Sequence, residues 1–333
     1  MSKTIFLLRK IFFRLLYFAG IGHLLKYFNQ QKYYIPILLF HRVSDDPDPY
    51  WPPLTNKAFR RIINFFGDKY EFRSLSKLIG SLKDLRKSCI IVFDDGYKDF
   101  YENVIPFFNE KNIPVTMFIP VESVETGKPI WTTKLNMWID GAPINQLTIT
   151  DEGKKVAYDL SNATAKIRTA VALLKWLKSL PYKKNIFQLN EILKQTGENK
   201  GSMNISVMSW TEINQTKDKV DYQSHTITHP MLSNIQDSED LKYEMGEAKK
   251  RISDHTGIFT NCISYPIGSY SKAVINEAKK HYDLAFAVDE RLVDLKKMND
   301  PDYRYRIPRF NVSDSDPYEL FFRVNGFHKL FGR

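Results

Sequence analysis

A chain of 333 residues with 43% hydrophobic and 14% aromatic side chains can bury one large core or two modest ones, which excludes a disordered or collagen-like polypeptide. The formal net charge of +10 favours an anionic partner, such as a membrane surface, a phosphorylated lipid or an acidic glycan. The basic residues are spread along the chain without zinc-finger spacing, a basic zipper or an RNA-recognition signature, so no nucleic acid is expected as a partner.

Residues 1–32 are expected to form a basic amphipathic N-terminal helix. Their longest uncharged run, Leu15 to Leu25, is too short to span a bilayer, which takes about 18 or more apolar residues. At about 100° per residue, Lys3, Lys10 and Arg14 share one face, while Ile5, Leu8, Phe12, Leu16 and Phe18 fall largely elsewhere. That pattern describes a helix lying in the interface of an anionic membrane; a signal sequence or anchor, and a helix packed on its own domain, are the alternatives. The expected location is cytoplasmic and peripheral to the inner membrane, or else periplasmic or extracytoplasmic with an N-terminal anchor.

Next in the chain, IPILLFHRV reads as a buried strand ending in His41 and Arg42, and DDPDPYWPP as a turn-rich loop. Thr55 to Phe66 has helical periodicity. Strand Cys89–Phe93, a helical NVIPFFNEK and strand VTMFIP follow in close order, the rhythm of a parallel sheet with crossover helices. A helical, lysine-rich stretch from about 121 to 205 interrupts this rhythm and reads as a lid-like insertion. Helix, strand and helix resume from Trp210 through strand Val220–Gln223, helix Ser238–Thr256, strand CISYP, helix Ser271–Lys280 and strand LAFAV, with a last strand near Ile307. Cys89 and Cys262 sit in apolar runs and read as buried thiols in a reducing compartment. The expectation is one α/β barrel-like domain over 33–333.

In such a fold the loops after the strands converge on one rim, where active sites are built. His41, Asp94 with Asp95, His225 with His229, and Pro266 to Gly268 all follow predicted strands, so all four groups fall on that rim. His225 and His229 stand in SHTITHP, close enough for one helical turn or a tight loop to bring both imidazoles to one metal, or for both to be satisfied surface or N-cap histidines. Asp94 and Asp95 repel each other beside a dry strand end unless a cation takes one and a hydrogen-bond partner the other; a helix-capping turn at Gly96 is the alternative. One carboxylate with two histidines leaves coordination positions open for water and substrate.

These residues resemble the polysaccharide deacetylases of the NodB-homology type, carbohydrate esterase family 4. VFDDGYKDF is similar to the family's first motif, T-F-D-D-G; SHTITHP to its second; and SYPIGSYS to a variant third motif, Y-P-x-G. MSWTEI and RIPRFNV look like accessory motifs of one branch, and LLFHRV resembles the L-x-Y-H-R-V of circularly permuted members, with Phe40 in place of Tyr. The resemblance runs from about residue 35 to 312.

It implies a distorted (β/α)7-type barrel with Asp94 as catalytic base, Asp95, His225 and His229 as metal ligands, and His41 as general acid. Ser264 stands where the family's third motif has an arginine, and Arg309 is the candidate to supply that guanidinium. Tyr265, Pro266, Ile267 and Gly268 are the expected substrate and oxyanion turn. The implied cofactor is a divalent metal, zinc by expectation, and for a glycan substrate Trp131, Trp138, Trp176 and Trp210 include candidates for stacking on sugar rings, with core packing the alternative for each. The implied reaction removes N-acetyl groups from N-acetylhexosamine units of a bacterial surface glycan or its lipid-linked precursor. The alternative is a catalytically impaired glycan-binding protein of the same fold at a membrane surface.

Overall fold

Seven short runs rich in Ile, Val, Leu and Phe form the centre of the computed structural model, which describes residues 3–80, 82–198, 201–313 and 316–327. They are β1 (Ile37–Phe40), β2 (Ser88–Asp94), β3 (Val115–Ile119), β4 (Val220–Ser224), β5 (Cys262–Ser264), β6 (Leu284–Phe286) and β7 (Phe310–Asn311). All pair in parallel, in the order β6-β5-β4-β3-β2-β1-β7, with the short strand Glu71–Phe72 beside β2. Every residue of β1, β2, β3, β5 and β6 is buried, which is why these segments read as continuous apolar runs and do not alternate. A parallel bridge from Phe286 to Ile307, just upstream of β7, curls the sheet into a partial barrel. The strand expected near Ile307 therefore lies slightly later, at Phe310–Asn311, and Ile307 contributes only the bridge.

Between β3 and β4, helices Trp131–Gly141, Ala163–Ser179 and Tyr182–Thr196 share a small core of Leu135, Ile139, Leu173, Leu177 and Ile192. This stretch also holds an antiparallel hairpin, Gln146–Asp151 with Lys154–Asp159, where only helix was expected. Its first strand buries Leu147 and Ile149 and exposes Gln146 and Thr148, the period-two pattern of a half-covered ribbon. Glu152 and Gly153, at φ 49° and 78°, make its turn.

The N-terminal segment forms two helices, Lys3–Phe18 and Ile21–Gln31, where one was expected. They break at Gly20, whose φ of 82° suits glycine, and meet at 65°. Among the described residues no single helix is long and apolar enough to cross a membrane, although this bent pair passes that test by length and composition. One side packs on helix Pro317–Val324 through Phe13 against Phe322 and Tyr17 against Tyr318 and Phe321. Arg9 and Arg14 pair there with Glu319 and Asp316, so neither is a purely solvent-facing charge. The opposite side leaves Leu8, Leu15 and Phe18 at least 60% exposed.

Candidate active site

At the carboxyl end of β2 the chain reverses through Asp95 and Gly96, both left-handed at φ 77° and 65°. Of the seven described non-glycine residues at positive φ, four surround this rim: Asp95, Thr226, His229 and Ile267. For the β-branched Thr226 and Ile267 such a backbone is strained, and strain of this kind persists only where neighbours over-determine it.

Asp94 is 2% exposed and carries the densest set of contacts at the rim. The Arg309 guanidinium, itself without exposure, donates to both of its oxygens at 2.8 and 3.0 Å. The Ser264 hydroxyl donates to Oδ2 at 2.9 Å and accepts from Arg309 at 2.7 Å. Burial pushes the Asp94 carboxyl up, but the Arg309 charge and then His225 more than offset it, leaving it below the ordinary carboxylate range. Ser264 and Arg309 together therefore stand where one arginine was sought.

Asp95 Oδ1 lies 3.3 Å from Nε2 of both His225 and His229 and, though buried, makes no hydrogen bond. The ligand atoms of these three buried residues fall within 4.8 Å of one another. His225 Nδ1 lies 2.8 Å from the Ser264 carbonyl, a contact that assigns the proton to Nδ1 and leaves the Nε2 lone pair for a metal. An unpartnered carboxylate oxygen facing two imidazole nitrogens in a dry site fits a divalent cation with this donor set.

The histidine loop is a tight turn and not a helix. The Thr226 hydroxyl accepts the His229 N–H at 3.1 Å, and the Trp131 indole donates to the His229 carbonyl at 2.9 Å. Glu244, fully buried in a wide π-helical turn over Tyr243–Glu247, holds the loop from beneath. It accepts the N–H groups of Ile227 and Thr228 at 3.0 and 2.9 Å, the Thr228 hydroxyl at 2.6 Å and the Tyr182 hydroxyl at 2.9 Å. Glu244→Ala orphans these donors and is expected to cost about 3 kcal/mol or more and to weaken metal binding about 10-fold or more. Chemical denaturation and metal competition read the two effects separately, and a loss of stability with unchanged metal affinity would reduce Glu244 to a folding role.

The SYPIG turn differs from expectation. Tyr265 donates its hydroxyl to Tyr305 O and its N–H to Phe286 O, both at 2.9 Å, so neither faces the cavity. Pro266 has no N–H, and that of Gly268 is spent on Tyr265 O. Ile267, at φ 59°, lines the cavity, and its N–H donates to no backbone carbonyl among the described residues. Gly268 is required at φ 71°, since a Cβ there would lie 2.9 Å from the Val288 backbone.

His41 follows β1 and lies edge-to-face on Trp51, ring centroids 5.2 Å apart. The adjoining Arg42 anchors this loop through Asp48 at 2.8 Å and Asp99 at 3.1 Å. Burial lowers the His41 pKa against the opposing pull of Asp95 and Asp94. His41, Trp51, Asp94, Asp95, His225 and His229 line one cavity of about 310 Å³. The insertion contributes Thr133, Asn136 and Lys178 to its lining, which the sequence did not single out. Trp131 and Trp210 are committed elsewhere, the first to His229 and the second to a stack on His255 at 4.5 Å.

A model of the polysaccharide deacetylase family matches residues 82–282. No curated protein matches the chain. Among solved structures, the Streptococcus pyogenes deacetylase PplD in complex with acetate superposes with a TM-score of 0.57 at 15% identity, over 87% of this chain and 98% of that one. IcaB from Ammonifex degensii gives 0.56 at 13% identity, over 88% and 97%. The de-N-acetylase from Aggregatibacter actinomycetemcomitans gives 0.51 at 14% identity, over 86% and 99%. At these identities the likeness concerns the fold.

Proposed function

Because this chain belongs to the polysaccharide deacetylase family, we propose that it is a metal-dependent hydrolase removing N-acetyl groups from N-acetylhexosamine units of a bacterial surface glycan or its lipid-linked precursor. The observation that carries this reading is an ionised, arginine-held Asp94 directly beside the Asp95, His225, His229 cluster. A binding module has no use for a base in that place. The two-histidine, one-carboxylate set suits zinc, and when bound the cation would supply Lewis acidity to the acetamide carbonyl and the attacking water.

The remaining chemistry belongs to the chain. Asp94, kept ionised by Arg309, takes the proton of the water as it adds to the carbonyl carbon. The Ile267 N–H is the donor available in the Pro266–Gly268 turn for the developing oxyanion. His41, on the cavity wall, gives its proton to the nitrogen as the C–N bond breaks, releasing acetate and a free amino sugar. The order of the motifs, with His41 ahead of the aspartates, supports placement in the circularly permuted branch.

Acetate release from N-acetylglucosamine oligomers and lipid-linked glycans, with and without chelator, tests this reading. Glycan binding without acetate release under metal would replace it with a non-catalytic role. A general acid must carry its proton, so the alkaline limb of kcat/KM is assigned to His41 and lies below the ordinary imidazole value, because burial disfavours the imidazolium. His41→Ala is expected to lower turnover about 100-fold and to remove that limb without changing metal content; an equal loss of bound metal would make it a ligand.

Work at a membrane surface is supported by the exposed apolar side of the N-terminal helices. Leu15→Gln with Phe18→Gln is expected to weaken vesicle binding about 10-fold or more, since each substitution removes a large apolar side chain from the interface. Unchanged flotation with anionic vesicles would dismiss that surface.

A further inference from the structure

Lys178 lies on helix Ala163–Ser179 of the insertion and lines the same cavity as Asp94 and the metal-type cluster. It is half-buried, and among the described residues no charged side chain offsets the burial of its ammonium. Removal from water with no anion in compensation makes its charge costly and lowers its pKa. Of the carboxylates of the cavity, Asp94 is paired with Arg309 and Asp95 faces the two imidazoles of the metal-type cluster, and neither offsets the Lys178 charge. A lysine on a surface helix ordinarily keeps its head in water, so a half-buried one facing a reaction cavity without a counter-charge calls for an anion from outside the chain.

A second observation stands beside it. Asn136, on helix Trp131–Gly141 of the same insertion, also lines the cavity; it is 7% exposed, and its buried Oδ1 has no hydrogen-bond partner. Buried amides are rarely left unpaired, and one that lines a cavity is an acceptor open to a bound molecule. The strand-end rim thus holds the reacting groups, and the insertion adds to the same cavity one cation without a counter-charge and one amide oxygen without a partner.

We propose that Lys178 and Asn136 form a specificity subsite in which the ammonium binds an anionic substituent of the substrate, a carboxylate or a phosphate, and the amide binds a neighbouring sugar hydroxyl. This rests on the deacetylase reading and narrows it: the substrate is an acidic acetamido glycan or a phosphate-linked precursor, not a neutral polymer. The chain's positive net charge points the same way.

The test is calorimetric titration of the metal-loaded protein with N-acetylglucosamine, N-acetylglucosamine 1-phosphate and N-acetylmuramic acid, which separates phosphate from carboxylate. At least one anionic sugar is expected to bind about 10-fold or more tighter than the neutral one, the gain of a charge-assisted contact. Lys178→Met is expected to bring that ratio to about unity and Lys178→Arg to keep most of it, since only the arginine retains the cation. Asn136→Leu is expected to weaken all three ligands by roughly fivefold, one hydrogen bond's worth. A ratio that survives in Lys178→Met assigns the preference to the metal and overturns the proposal; so does a parent protein with no preference. Acetate release from neutral and anionic acetamido sugars alike, strongly reduced in Asp94→Asn, judges the deacetylase reading separately, because the binding ratio needs no turnover.

Discussion

Asp94→Asn is expected to lower acetate release by about 1,000-fold while the protein keeps its metal, since general-base catalysis is worth about 100- to 10,000-fold. Asparagine keeps the shape and one acceptor oxygen, but its amide NH2 turns a donor toward one guanidinium N–H, so one arm of the two-pronged contact is lost together with the proton acceptor. The substitution also leaves the Arg309 charge buried without its partner, and the comparison belongs at a temperature where the variant is shown to be folded. Metal analysis separates the two candidate roles of the aspartate pair: Asp95→Asn is the variant that should lose metal, because Asp95 is the residue within reach of both histidines. A substrate turned over equally by parent and Asp94→Asn would sink the mechanism.

The second large effect falls on Arg309→Met. Removing one partner of a buried ion pair costs about 3–5 kcal/mol, because Asp94 then stays buried with its charge uncompensated. The pH dependence should change as well. In the parent protein the Asp94 pKa is depressed, so its contribution to stability is fully present above the ordinary carboxylate pKa and is lost as pH falls through the lower folded value. Without the guanidinium, burial raises the folded pKa instead, and stability falls as pH rises through the carboxylate range. The acid limb of kcat/KM should move to higher pH for the same reason, since the base must be ionised to act. Arg309→Lys keeps a charge but not the two-pronged contact and should fall between the two. Urea denaturation at several pH values together with a pH–rate profile reads both effects; unchanged stability and an unmoved acid limb would show that Arg309 does not hold Asp94.

The parts of the site written in short contiguous stretches could be anticipated. Adjacent carboxylates at the end of IIVF and two histidines in SHTITHP are local facts, and their position after strands follows from apolar runs long enough to be strands. The same reasoning failed at the Gln146–Asp159 hairpin, where two-residue periodicity lay inside a lysine-rich stretch of helical character. It failed again at Gly20, because a single glycine inside an amphipathic pattern does not announce that it will adopt a left-handed backbone. Tyr265, expected at the substrate turn, spends its hydroxyl and its N–H on backbone carbonyls, since motif position cannot say which N–H the sheet will consume.

By itself the sequence determined the parallel α/β class, the strand ends that carry the polar residues, and the candidate metal triad, all of which depend on short-range pattern. The family resemblance divided the aspartates into base and ligand, and only the tertiary structure showed which neighbours make them differ. Arg309, 215 residues from Asp94, reaches it because β7 lies beside β1 at the barrel's closing edge. Glu244 reaches the histidine loop from a separate helix, and Lys178 and Asn136 enter the cavity from an insertion with a core of its own. Such contacts form between segments far apart in the chain, so their pairing is set by packing and desolvation, which leave no periodic trace in the residues themselves.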